Sequence, residues 1–149
     1  MKGSVDLYSA LDIARYVIDY SWDNKNTVSN LRVQKILYFV QAEFLVSKNS
    51  ACFNDEIQAW SLGPVVPSVY HEYKIFGNSP IPSRGTNGQY YSIDESDKKI
   101  IEDIVNQCNE HTTATLVNIT HNQTPWIEAF NSSNKIITTS SIKAFFSEE

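Results

Sequence analysis

Few side chains in this sequence are suited to chemistry: three histidines, His71, His111 and His121, and two cysteines, Cys52 and Cys108. His71 is followed by Glu72, but the second histidine that would complete a zinc-protease helix is missing. Cys108 and His111 stand three residues apart in a helical stretch and could offer two ligands on one face. A structural zinc site needs four, usually in close pairs, and Cys52, His71 and His121 are each isolated, so no metal is expected. None of the seventeen serines sits in a Gly-x-Ser-x-Gly elbow, and the five glycines never take a phosphate-cradling spacing. An enzymatic or small-ligand alternative would use His121 and Glu56 near Trp126 and Trp60, since such groups can form a pocket with convergent polar atoms. Neither a cofactor nor bond-making chemistry has positive support.

A denser constellation lies elsewhere. Trp60, Pro64, Pro67, Tyr70 and Tyr73 fall within fourteen positions, Gln34, Tyr38 and Gln41 share one helical stretch, and His121, Pro125 and Trp126 recur later. Large rigid aromatics with a polar tip are favoured in binding hot spots. The same residues at helix starts also serve as core anchors, and a proline pair can be pure architecture. Both readings stand on sequence alone.

Charge narrows the partners. Twelve Lys and Arg against seventeen Asp and Glu leave a net charge of −5, which argues against a binder of duplex DNA or anionic membrane. Arg32 and Lys35, near one helix start, and Lys98-Lys99, near another, read as solvated faces. A transcriptional regulator is the nucleic-acid alternative, and it predicts salt-sensitive DNA binding. No apolar run approaches the roughly 20 residues that a membrane span requires. The amphipathic start, with Asp12, Arg15 and Asp19, does not resemble a secretory leader. The expectation is a cytoplasmic protein of one 149-residue domain.

The elements that must position these residues are mainly helical. Ser9 and Asp12 mark a start, and Leu11, Ala14, Val17, Ile18 and Trp22 recur at helical spacing, predicting a helix over 9–23. A second helix over 30–48 carries Val33, Ile36, Leu37, Val40 and Phe44, widened by Leu31, Phe39 and Leu45, the pattern of a central buried helix. Residues 56–60 read as a strand or extended link. The run Gly63-Pro64-Val65-Val66-Pro67 reads as a rigid bend, with Pro67 opening a helix that Gly77 ends. Asn87-Gly88 suggests a small hairpin within 78–93, with an ordered loop as the alternative. Further helices follow: one capped by Asp94 or Ser96, one from Thr113, one with Thr124 as cap before Pro125, and one capped by Ser140 or Ser141 after an extended Ile136-Ile137. The fold class is mainly α, a compact single-domain bundle of about six or seven helices with a minor β-hairpin or extended element.

The same residues carry a family resemblance. The string Leu31-Arg32-Val33-Gln34-Lys35-Ile36-Leu37-Tyr38-Phe39-Val40-Gln41-Ala42 resembles the signature helix of the Panacea antitoxin domain family, which includes phage-associated GepA-like proteins and SocA-like proteolytic adaptors. The likeness continues through Phe53-Asn54-Asp55-Glu56-Ile57-Gln58-Ala59-Trp60 and Gly63-Pro64-Val65-Val66-Pro67-Ser68-Val69-Tyr70. It ends in Leu116-Val117-Asn118-Ile119-Thr120-His121 with Pro125-Trp126. Val33 stands where the family usually has Leu, and residues 78–93 and those after Asn131 match no family motif. The resemblance implies a non-enzymatic protein-binding domain: an antitoxin that neutralises a protein toxin encoded nearby, directly or by delivering it to the ClpXP protease. It also implies phage or prophage association. Some members add a DNA-binding module, for which 149 residues leave no room. The docking face is expected on the bend Gly63, Pro64, Val65, Val66 and Pro67, with Trp60 and Tyr70 as anchors. Gln34, Lys35, Tyr38, Gln41, His121 and Trp126 are expected either to join that face or to support the bend from behind, and Pro125 belongs to the same motif.

Overall fold

The helix Asn30–Ser47 (α2) is apolar around most of its circumference, and twelve of its eighteen residues are buried. A helix of that kind must be surrounded. Against it pack α1 (Ala10–Asp23), α3 (Pro67–Tyr73, running on into a 3-10 turn at Lys74–Phe76), α4 (Glu95–Cys108), α5 (Thr113–His121) and α7 (Thr139–Ser147), while α6 (Thr124–Phe130) bridges α5 and α7. The computed structural model describes residues 7–84 and 92–148. Within them the chain is mainly α, with seven α-helices and one three-stranded sheet, as the sequence pattern predicts.

The outer helices bury one stripe each. In α1 the stripe is Ala10, Ile13, Ala14, Val17 and Ile18; in α4 it is Ile101, Ile104, Val105 and Cys108. Side-chain caps fix where several helices begin. Ser9 Oγ accepts from the Asp12 N–H at 3.1 Å, Ser29 Oγ from Arg32 at 3.3 Å and Thr112 Oγ1 from Thr115 at 3.1 Å. Each such cap contributes on the order of 1 kcal/mol. Two expected caps are displaced. Thr138, not Ser140 or Ser141, caps α7, because its hydroxyl reaches the Ser141 N–H. Gln123, not Thr124, precedes α6, which places Pro125 within the first turn, where its missing N–H costs nothing. Cys52 and Cys108 are buried free thiols.

The hairpin expected at Asn87-Gly88 falls on 85–91 and lies outside the described residues. The hairpin in the described residues is upstream. β1 (Ile57–Trp60) pairs antiparallel with β2 (Gly63–Val65), and β3 (Ile136–Ile137) lies on the other side of β1, giving the order β2-β1-β3. Residues 63–65, read from sequence as part of a bend, are therefore a strand. Pro64 is tolerated there because β2 is an edge, where one missing ladder donor matters little. Only Ser61 and Leu62 connect β1 to β2, and both keep negative φ. Such a turn matches the strand twist only if the next residue enters the left-handed region, and Gly63 does so at φ = +110°. Among the described residues no helix is long and apolar enough to cross a membrane.

Candidate functional site

From Trp60 to Val66 the backbone of the hairpin is held by side chains as well as by the β-ladder. Those side chains are buried or half-buried. Trp126 Nε1 donates to the Trp60 carbonyl at 2.9 Å, and His121 Nε2 donates to the Ser61 carbonyl at 2.8 Å, which fixes the proton on that ring nitrogen. Lys35 Nζ donates to the Pro64 carbonyl at 2.8 Å, and the Val66 N–H donates to Gln34 Oε1 at 2.8 Å. Gln34 Nε2 passes the chain on to Asn30 Oδ1 at 2.9 Å, and Asn30 Nδ2 to the Tyr70 carbonyl at 3.1 Å. Buried backbone polar groups need such partners, since an orphan costs as much as a lost hydrogen bond.

Two further motif residues support the same unit from a step back. Gln41 Oε1 accepts from the Cys52 and Phe53 N–H groups at 2.8 and 3.2 Å, while its Nε2 donates to the Phe53 carbonyl at 2.9 Å, pinning the approach to β1. Tyr38 Oη donates to Gln123 Oε1 at 2.8 Å, at the cap of the helix that carries Pro125 and Trp126. The structure thus brings Gln34, Lys35, His121 and Trp126 onto one hairpin, with Gln41 on the chain that leads into it and Tyr38 on the helix cap beside Pro125. Gln34→Leu is expected to orphan the Val66 N–H and cost about 1–3 kcal/mol, read as a lower urea midpoint at unchanged slope.

Arg32 and Lys35 do not form a solvated face. Arg32 donates to the carbonyls of Cys108 (2.6 Å) and His111 (2.9 Å), tying α2 to the negative C-terminal end of α4. Lys35 has no exposed surface, and no carboxylate pairs with it among the described ion pairs. Burial pushes its amine down to about 7. The helix is enclosed on that side by β2, and Gly63 lies directly against the lysine: a Cβ there would meet Lys35 Cε at 2.9 Å and Thr120 Oγ1 at 3.0 Å.

Outward, the arrangement corrects the expected docking face. Gly63, Pro64, Val65 and Val66 are buried and cannot touch a partner; they hold their neighbours. What reaches solvent is the turn, with Leu62 54% exposed, and the half-buried pair Trp60 and Tyr70, whose rings meet edge to face at 4.9 Å. Trp60 Nε1 donates to Gln58 Oε1 at 2.9 Å on the same face of β1, and Pro67 is half-buried beside them. Leu62 was absent from the sequence-based candidates. Its signal is an apolar side chain in a two-residue turn, where polar residues are usual. Glu56 and His121 do not form an acid–base pair here. Glu56 accepts from Gln58 Nε2 at 2.5 Å, whereas the His121 ring donates to Ser61 and lies 4.3 Å from the Trp126 ring centre.

A family model described as "Antitoxin SocA-like, Panacea domain" matches residues 33–127, which contain the hairpin and every side chain that braces it except Asn30. The curated protein "Antitoxin SocA" of Caulobacter vibrioides (strain NA1000 / CB15N) is 34% identical to this chain over 89 residues. That alignment covers 60% of this chain and 42% of the relative's own length. No solved structure matches.

Proposed function

The chain belongs to the SocA-like Panacea antitoxin domain family, and from that premise we propose that it is a non-enzymatic antitoxin that neutralises a protein toxin by docking on it with the β1–β2 turn. One observation carries the reading. Four side chains of the motif, Gln34, Lys35, His121 and Trp126, bond to the backbone of one short hairpin, and its turn exposes Leu62 two residues from Trp60, whose ring packs on Tyr70. A face ordered in advance binds without the entropy cost of ordering it later. Exposed Glu56 and Glu72 nearby, within a chain of net charge −5, favour encounter with a basic toxin through the association rate.

The test is co-expression with the product of the adjacent open reading frame in a host that the product kills. Rescue is expected, and Leu62→Asp, a substitution at an exposed position, should weaken the complex by about 2 kcal/mol, roughly 30-fold, with the melting temperature retained. Equal toxicity with and without the chain would sink the proposal. Occlusion leaves the toxin's level unchanged during rescue. If the level falls and removal of ClpXP restores killing, delivery to that protease is the mechanism instead.

A further inference from the structure

A second surface lies further along α2, one to three turns beyond Lys35 toward the C-terminal end of the helix. Phe39, Ala42, Glu43 and Val46 of α2, Ile104, Gln107, Cys108 and the following His111 of α4, Leu116 and Ile119 of α5 and Phe146 of α7 enclose an open, mainly apolar groove of about 370 Å³. Its walls come from four helices that pack on α2 or belong to it, so the groove is built into the core rather than made by a loop. Val46 is 42% exposed at its mouth, and Phe39, Ile119 and Phe146 are half-exposed. Open apolar grooves between helices receive the apolar face of an amphipathic helix, two large side chains at a time.

The charges at this groove indicate what the occupant must carry. Glu43 is exposed on the wall and makes no ion pair among the described residues. Asp103, one turn before Gln107 on α4, and Glu110, in the turn that follows α4, are likewise exposed and outside those pairs, though Glu43 is the carboxylate on the wall itself. Of the cations close in sequence to these walls, Lys48 is drawn to Asp97 at 2.5 Å, Lys143 to the Asn49 side chain and Arg32 to the carbonyls at the end of α4, while exposed Lys99 stands one turn before Asp103. An apolar slot with an unpaired carboxylate on its wall, in a chain of net charge −5, complements apolar side chains accompanied by positive charge.

We infer that the α2–α4–α5–α7 groove is a docking site for a cationic amphipathic helix of a partner protein, separate from the hairpin face. The probe is a fluorescein-labelled synthetic helical peptide with leucines at i, i+3, i+4 and i+7 and lysines on its other positions. Its counterpart carries glutamates in place of the lysines. Fluorescence anisotropy with the full chain is expected to show saturable binding of the lysine peptide and none of the glutamate peptide. Val46→Asp and Glu43→Lys, both at exposed positions, should each weaken the lysine peptide about tenfold, and Glu43→Lys should gain affinity for the glutamate peptide. Equal binding of both peptides, or unchanged binding in Val46→Asp, would overturn the inference by placing the contact elsewhere. So would sedimentation showing a dimer that Val46→Asp converts to monomer, since a second copy would then fill the groove.

Discussion

Gly63→Ala is expected to destabilise the chain by about 3 kcal/mol and to abolish toxin binding, whereas Gly77→Ala should cost only about 1 kcal/mol. Both glycines have positive φ, +110° at Gly63 and +57° at Gly77, so backbone strain alone predicts two comparable losses. They differ in what surrounds them. At Gly77 an added Cβ meets nothing within 4 Å; at Gly63 it meets Lys35 Cε at 2.9 Å, Thr120 Oγ1 at 3.0 Å and Lys35 Nζ at 3.1 Å. Neither neighbour can step aside cheaply. The lysine is fully buried with its amine held on the Pro64 carbonyl, and the Thr120 hydroxyl donates to the Val117 carbonyl at 2.9 Å. The hairpin must therefore lift off α2, and lifting it breaks the bond to Pro64 and the bond that Val66 makes to Gln34. Urea unfolding of the two variants reads the contrast. Equal losses would mean that the approach of the turn to Lys35 is not a tight one.

How much of this was legible in the sequence follows from the same residues. Helical spacing, with caps and prolines at the short ones, locates the seven helices of the described residues, and α1 and α4 keep clean stripes and α2 a wide one. The small sheet was not legible as a sheet. A three-residue strand containing a proline has no alternation to read, and β3, the second partner of β1, is two residues long and more than seventy positions away. Resemblance supplied the motif residues but not their work. Leu31, Gln34, Lys35, Tyr38, Gln41, Ala42 and Leu45 recur at helical spacing, a second stripe with polar members on a helix already expected to be central. That stripe was the signal that Lys35 and the glutamines face inward, where buried amides must find backbone partners. Leu62 stayed hidden because a lone turn residue has no period at all.

Lys35 leads to the second large effect, in how stability depends on pH. Burial lowers its amine from the ordinary 10.5 to about 7 in the folded state. Between those values the unfolded chain holds a proton that the folded chain has released, so stability rises with pH, by up to about 1.4 kcal/mol per pH unit. From pH 7 to pH 9 the gain is about 2 kcal/mol. Above pH 9 the sign reverses for other groups. Burial raises the Cys108 thiol from 9.0 to about 11, and burial raises the Tyr38 and Tyr73 phenols as well. An acid whose folded pKa is raised contributes stability that is lost as pH climbs through that range, so the curve should turn over beyond pH 9. Lys35→Met removes the rising limb and leaves the falling one. Its stability relative to the parent should therefore shrink by about 2 kcal/mol between pH 7 and pH 9, measured by urea unfolding at each pH. A parent curve flat across that window would mean that the Pro64 carbonyl keeps the ammonium charged. The lysine would then be a permanent buried cation, held for the position of the turn at a constant cost in stability.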